Sequence, residues 1–184
     1  IILISSTDDP HLQHFLRGHD EEITCLAISP SGTIIASGQL SATRVHHSEA
    51  MVLVWDYATR QRVYALSHLS DGSDFSRNAV RQLAFSSDDR YLAGSDDAGR
   101  LAVWDLPTGT LTTTVKQPSS LDFLTWGAIV ASDRKMGPRA KYHFFSGSGS
   151  RVNCHTLEFD VHTMQYRVHT ERMQFPSSGL SRTY

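Results

Sequence analysis

One five-residue pattern that occurs twice decides the fold. Val52-Leu53-Val54-Trp55-Asp56 is followed 49 residues later by Leu101-Ala102-Val103-Trp104-Asp105, and both stretches stay apolar until they end in Trp-Asp. Repetition at a fixed period of about 20 to 50 residues indicates an architecture of similar units, each packed against its neighbours. The sequence therefore predicts a fold built from repeats.

Each Trp-Asp stretch is preceded and followed by further strand patterns. Residues 23–32 and 80–89 alternate apolar and polar side chains and then run into a turn, which is typical of a strand with one buried face. A second short strand is predicted at 34–38 in the first unit and at 91–95 in the second, and a fourth strand, rich in β-branched residues, at 62–66 and 110–115. Four antiparallel strands per unit form one blade of a propeller, so we predict an all-β propeller.

A third and less regular unit follows. The distance in sequence from Gly99 to Trp104 equals that from Gly149 to Cys154. Cys154-His155 is therefore predicted to occupy the position of Trp-Asp in the third unit. Its four strands are predicted at 121–126, 142–147, 151–154 and 164–169, and the last two strands of a preceding blade at 1–5 and 14–16.

These units divide the chain into parts of one incomplete propeller. The predicted parts are residues 1–17 as the end of a preceding blade, 18–69 and 70–117 as regular blades, and 118–184 as a degenerate blade with a tail. Propellers close with four to eight blades. Three blades and a half-blade, in a chain that begins with Ile, therefore indicate an open arc of a longer polypeptide.

Composition argues against several classes of function. Lys plus Arg is 17 and Asp plus Glu is 19, a formal net charge of −2 that is too balanced for a whole-surface nucleic-acid binder. No apolar run approaches the roughly 18 to 20 residues of a transmembrane helix. Cys25 and Cys154 form no Cys-x-x-Cys pair, which favours a reducing, intracellular setting. We expect no nucleic-acid and no membrane partner.

The sequence predicts no catalytic, cofactor or metal site. His155, His162 and His169 are spaced seven apart, which places neighbouring side chains on opposite faces of a strand, and no Cys or carboxylate cluster completes a tetrahedral set. Residues 146–150 read as a turn, because the Lys and Ser/Thr of a phosphate loop do not follow. We therefore expect a protein that is not an enzyme and takes no small-molecule substrate.

Gly18-His19 stands 36 residues before Trp55 and fits the linking turn of WD-repeat proteins, which the chain resembles. The resemblance implies a hydrogen-bonded set of His19, Ser37 and the Trp55 indole. It also implies a related network around Asp97 in the second unit, which lacks the Gly-His pair. The structural residues predicted in this way are His19, Ser37, Trp55, Asp56, Asp97, Trp104 and Asp105.

Long loops between the predicted strands are the candidates for partner contacts. Long connections on rigid scaffolds often carry function, and a basic cluster suits an acidic protein surface. The first candidate loop spans 39–50 and the basic one 131–141; a solvated insertion is the alternative for each. The candidate contacts are Arg44, His46, His47, Arg134, Lys135, Arg139 and Lys141.

Residues 15–32 and 35–39 resemble an amino-terminal segment of a family of WD-repeat proteins associated with cilia and flagella. Ser37-Gly38-Gln39 before a long loop is shared with the related echinoderm microtubule-associated-protein-like family. The resemblance continues through the second unit and becomes faint after Gly149. It implies a non-catalytic protein that reinforces doublet microtubules of the axoneme as a microtubule inner protein, with tubulin and other inner proteins as partners.

Two other functions remain open at this point. A cytoplasmic microtubule-associated propeller of the echinoderm type would have a hydrophobic signature segment upstream of its propellers. A soluble WD-repeat adaptor would carry a partner-docking domain elsewhere in its chain. The resemblance favours the ciliary location, within the cytoplasm and cytoskeleton, over both alternatives.

Overall fold

The computed structural model describes residues 1–9, 11–41, 51–67, 78–131, 140–160 and 162–174. Within these ranges the regular elements are β-strands. Their bounds are β1 Ile2–Ser5, β2 Gln13–Leu16, β3 Ile23–Ile28, β4 Ile34–Gln39, β5 Val52–Asp56, β6 Arg62–Leu66, β7 Val80–Phe85, β8 Tyr91–Asp96, β9 Arg100–Asp105, β10 Thr110–Lys116, β11 Phe123–Ala131, β12 Ala140–Ser148, β13 Arg151–Asp160 and β14 Gln165–Arg172.

The strands form antiparallel sheets in which each strand pairs with the next one along the chain. β1 and β2 make a two-stranded sheet, while β3–β6, β7–β10 and β11–β14 make three four-stranded sheets. We call these three sheets blades 1, 2 and 3. This meander of four strands is the arrangement that the repeated sequence pattern predicts for propeller blades.

Blade 1 lies between the two-stranded sheet and blade 2, and its alternate residues face opposite neighbours. Leu53 and Trp55 on β5 pack with Ile2 and Leu16 of the two-stranded sheet. Val54 on the same strand packs in the core shared with blade 2. The side chains of a strand alternate between faces, so a strand buried on both faces needs a continuous apolar run. This requirement explains why the Trp-Asp stretches do not alternate apolar with polar.

Blade 3 packs on the far face of blade 2 through an aromatic cluster. The Tyr91 ring lies 4.6 Å from the Tyr142 ring, in an edge-to-face arrangement, and 6.0 Å from the Trp126 ring. The Tyr91 hydroxyl donates to the Tyr166 hydroxyl at 3.2 Å, and the Tyr142 hydroxyl donates to Asp88 at 2.8 Å. Aromatic pairs of this geometry add stability beyond the area they bury. The contacts bind the irregular third unit to its neighbour.

The inner strand of blade 1 carries an uncovered apolar strip. Leu26 and Ile28 on β3 are 54% and 68% exposed. Their counterparts in blade 2 by strand register, Leu83 and Phe85, pack in the core shared with blade 1. Among the described residues, neither β1 nor β2 packs against β3 in the way that β3 packs against β7. This end of the arc therefore presents apolar surface.

Candidate functional site: the buried polar network and the loop contacts

A chain of hydrogen bonds joins β5, β4 and the turn before β3. The Trp55 indole Nε1 donates to Ser37 Oγ at 2.8 Å, and Ser37 Oγ lies 2.6 Å from His19 Nε2. Ser37 pairs with Leu53 across the two strands, so Trp55 lies two residues further along β5 on the same face. The structure thus brings together the three residues that the sequence analysis assigned to one set.

Two residues that the sequence analysis did not assign extend this chain. His19 Nδ1 lies 2.6 Å from Gln39 Oε1, and Gln39 Nε2 donates to Asp20 Oδ1 at 2.8 Å. Gln39 is buried and lies two residues after Ser37 on β4, and therefore on the same face. Period-two spacing from Ser37 was the signal in the sequence that could have found it.

The donors and acceptors of this network fit one proton arrangement. The Trp55 indole can only donate, and the Gln39 amide oxygen can only accept. With His19 neutral, the Ser37 hydroxyl donates to His19 Nε2 at 2.6 Å in preference to the Leu53 carbonyl oxygen at 3.4 Å, and His19 carries its proton on Nδ1. Burial lowers the pKa of His19, while the bond to Gln39 and the charge of Asp20 raise it. A neutral, fully bonded His19 fixes the linking turn to the blade.

Blade 2 lacks this network because glycine replaces the serine. Gly94 pairs with Ala102, two residues before Trp104, and so occupies the place of Ser37. In the part of the chain that the structure describes, Trp104 Nε1 has no hydrogen-bond partner. The adjacent Ser95 hydroxyl points to the other face and is also unpaired there. A Gly at this place leaves the indole without an acceptor.

Asp97 lies outside any network with Trp104. Its carboxylate pairs with the Arg81 guanidinium at the surface, where both side chains are partly exposed. The carboxylate of Asp96 is fully buried in blade 2, where it accepts from Asn78 Nδ2 at 2.9 Å and from the Arg100 backbone N–H at 2.7 Å. The reason is register: Asp96 pairs with Val80 as Gln39 pairs with Ile23, so Asp96 takes the place of the buried Gln39.

Blade 3 contains a variant of the network that is built on histidine. His155 Nε2 lies 2.8 Å from Ser146 Oγ and His155 Nδ1 lies 2.8 Å from Thr170 Oγ1. Ser146 pairs with Asn153, two residues before His155, so His155 takes the place of Trp55. The predicted alignment of Cys154-His155 with Trp-Asp is therefore wrong by one residue. Equal spacing from a glycine did not reveal the strand register.

His155 is a fully buried and uncharged member of this variant. Its ring stacks on Phe144 with centroids 4.6 Å apart, and burial lowers its pKa to about 4. A neutral imidazole can donate from one nitrogen and accept at the other. Because Ser146 and Thr170 each carry a hydroxyl, both nitrogens are satisfied without a charge.

Asp56 and Asp105 close turns and do not belong to the buried networks. Asp56 Oδ1 accepts from the Thr59 backbone N–H at 2.7 Å and from the Thr59 hydroxyl at 2.8 Å. Asp105 accepts from Thr108 Oγ1 at 2.8 Å and from Arg90 Nε at 3.1 Å. The repeated Trp-Asp pair thus combines a core residue with a residue that terminates the strand.

Most of the predicted loop contacts lie outside the described residues. These are Arg44, His46, His47, Arg134, Lys135 and Arg139. Lys141 lies on β12 and not in the predicted loop, and its ammonium group lies 2.6 Å from the Glu158 carboxylate on β13. Both side chains of this ion pair are about half exposed. The Glu158 carboxylate therefore compensates the positive charge of Lys141.

Among the described residues, no group of three or more His, Cys, Asp or Glu side chains could hold a metal ion. In the same ranges, no helix reaches the length and apolar character that crossing a membrane requires.

The WD domain, G-beta repeat family matches the chain at residues 10–56 and 66–105. The chain carries WD repeats in these two segments. The match covers the blade that carries the His19 network and the blade in which Gly94 interrupts it. With the strand topology, it confirms the prediction of a partial WD propeller.

Solved WD structures share this fold. The WD40 domain of SCAP from fission yeast superposes with a TM-score of 0.60 at 14% identity, covering 86% of this chain and 35% of that one. The U3-55K structure gives a TM-score of 0.55 at 20% identity, covering 87% and 41% of the two chains. At such identities the likeness concerns the fold alone.

Curated relatives are more similar in sequence. Cilia- and flagella-associated protein 52 of Chlamydomonas reinhardtii is 33% identical over 110 residues, or 59% of this chain and 16% of that protein. The Homo sapiens protein of the same name is 38% identical over 96 residues, or 51% of this chain and 14% of that protein. The predicted resemblance is confirmed. The WD-repeat chain described here spans only about a sixth of these relatives.

Proposed function

We propose that this WD-repeat chain belongs to a non-catalytic structural protein of the axoneme, which binds and reinforces doublet microtubules as a microtubule inner protein. The observation that carries the proposal is its identity of 33% and 38% to proteins named for their association with cilia and flagella. The ciliary location, the tubulin partner and the neighbouring inner proteins all belong to this proposal.

The chemistry of the buried residues supports a scaffold function. His19 and His155 make hydrogen bonds inside blades, where each fixes the packing of one strand or turn. Buried polar networks that are fully satisfied rigidify a core and specify one arrangement of it. Such a role suits a protein whose task is to hold a fixed shape in an assembly.

Contact with acidic tubulin would have to come from local basic segments, because the chain has a formal net charge of −2. The segment at 131–141 is the strongest candidate, with Arg134, Lys135, Arg139 and Lys141. Among these, Lys141 is already paired with Glu158. We therefore propose that the first three supply the attraction.

Fractionation of cilia tests the location. The full-length protein, tagged at its own locus, should stay with the axoneme after detergent and then high salt, because a protein enclosed in the doublet cannot diffuse away when salt screens its contacts. A protein of the outer microtubule surface serves as the salt-sensitive control. Release of the tagged protein by detergent alone would refute the ciliary proposal, and release by salt would refute the luminal position.

A charge-reversal variant tests the contact. Changing Arg134, Lys135 and Arg139 to Glu should reduce retention on axonemes in cells that lack the native protein. The matched control reverses three exposed arginines on strands, Arg62, Arg151 and Arg172, with the same change in net charge. Equal loss from both variants would show a general charge effect and would contradict a specific role for the loop.

A further inference from the structure

A groove lies on the outer side of the junction between blades 1 and 2. Its cavity is about 280 Å³ in volume, and its walls are mainly apolar. Ile34 and Val54 line it from blade 1, and Leu106 lines it from blade 2. We call this cavity the inter-blade groove. Its volume lies near the lower end for ligand pockets, which suits one or two side chains of a partner and not a larger ligand.

Two carboxylates line this otherwise apolar groove, one from each blade. Asp56 belongs to blade 1, and Asp89 lies in the turn between β7 and β8 of blade 2. Hydrogen bonds from Thr59 lower the pKa of Asp56, which keeps it ionised. Both oxygens of Asp89 make only long contacts, 3.3 and 3.4 Å, with the Ser31 backbone N–H. In the described ranges no Lys or Arg forms an ion pair with either residue.

The ring of Tyr64 forms a wall of the groove that is held in place. A Cβ atom on Gly109 would lie 2.5 Å from the Tyr64 ring, so the ring packs directly on the glycine backbone. The Tyr64 hydroxyl also reaches the Pro107 carbonyl oxygen at 3.5 Å. A wall that is ordered before binding reduces the entropic cost of association.

We propose that the inter-blade groove binds a basic segment of a protein partner, in which an arginine lies next to an aliphatic residue. The guanidinium would pair with Asp56 and Asp89, and the aliphatic stem would lie along the apolar walls. Arginine fits better than lysine because its planar group can donate to two carboxylates at once. Phosphate groups and acidic segments are disfavoured, since both charged residues of the groove are negative.

This partner differs in kind from the acidic tubulin of the function proposed above. The groove accepts a basic segment and the loop at 131–141 offers one, so the two surfaces would serve different neighbours. The inference rests on the groove alone and would stand if the microtubule proposal failed.

Methyl-detected NMR of the protein with labelled Ile, Leu and Val tests the inference. The probe is the peptide acetyl-Gly-Leu-Arg-Leu-Gly-amide, and the comparison peptide replaces Arg with Glu. We expect saturable shifts of the Ile34, Val54 and Leu106 methyl groups with the Arg peptide and none with the Glu peptide. Absence of saturable shifts, or equal binding of both peptides, would overturn the proposal.

Two variants connect binding to the carboxylates. Asp56→Asn retains an oxygen that can accept from Thr59, and Asp89→Asn suits the left-handed backbone at that residue, which has φ of 62°. Each variant should reduce the affinity for the Arg peptide about fivefold to tenfold, as loss of a charge-assisted hydrogen bond predicts. Asp160→Asn is the matched control, because Asp160 accepts from turn N–H groups in blade 3. Unchanged affinity in both groove variants, or equal loss in the control, would refute the assignment.

Discussion

Replacing Ser37 with alanine tests whether the buried network stabilises blade 1. The matched control is Ser95→Ala, which deletes the same atom from an equally buried side chain in blade 2. Ser37 Oγ accepts from Trp55 and contacts His19, whereas Ser95 Oγ has no hydrogen-bond partner among the described residues. The two variants therefore differ in hydrogen bonding and not in the atom removed.

The expected losses follow from these contacts. Without Ser37 the Trp55 indole N–H stays buried and unpaired, since Trp55 is only 2% exposed; such a group costs about 1 to 3 kcal/mol. The lost bond to His19 adds about 1 kcal/mol at most, because His19 is half-buried and water can replace part of it. We expect Ser37→Ala to lower the free energy of unfolding by about 1 to 4 kcal/mol. Ser95→Ala should change it by less than about 0.5 kcal/mol or raise it slightly.

Urea unfolding followed by tryptophan fluorescence measures this difference. With a denaturant slope of about 2 kcal/mol per molar, the midpoint of Ser37→Ala should fall by about 0.5 to 2 M, and that of Ser95→Ala should not fall. Equal shifts of the two variants would show that the loss arises from the removed atom itself. An unchanged midpoint for Ser37→Ala would show that the buried network does not stabilise blade 1.

Two further predictions concern acidity and backbone conformation. The folded pKa of His155, about 4, lies below its ordinary value of 6.5, so the folded state binds fewer protons between these values. The free energy of unfolding should be highest above pH 6.5 and should fall by about 3 kcal/mol as the pH drops to 4. The urea midpoint should fall less steeply with decreasing pH in His155→Gln than in the unchanged protein. An equally steep fall in both would contradict the low pKa of His155. Gly32 and Gly99 have nearly equal φ, 74° and 75°, but a Cβ on Gly99 would collide with the Ser119 carbonyl oxygen while one on Gly32 would meet nothing within 4 Å. Thermal unfolding should show a loss of about 1 kcal/mol for Gly32→Ala and clearly more for Gly99→Ala; equal losses would exclude the collision.

The sequence predicted the strands of blades 1 and 2 because each is marked locally. An apolar run that ends in Trp-Asp requires burial on both faces, and the alternation in residues 23–28 requires burial on one face. In blade 3 the predicted strands are present but longer, since β13 continues to Asp160. No local signal marked that extension, which depends on pairing with β12 and β14.

By itself, the sequence determined the repeat, the all-β class and the residues that WD-repeat proteins use in the first blade. Only the tertiary structure decided which residues occupy equivalent places. It placed Gly94 where Ser37 stands, His155 where Trp55 stands, and Asp97 on Arg81 at the surface. The physical reason is that strand register depends on cross-strand hydrogen bonds, and a shift of one residue turns every side chain to the opposite face.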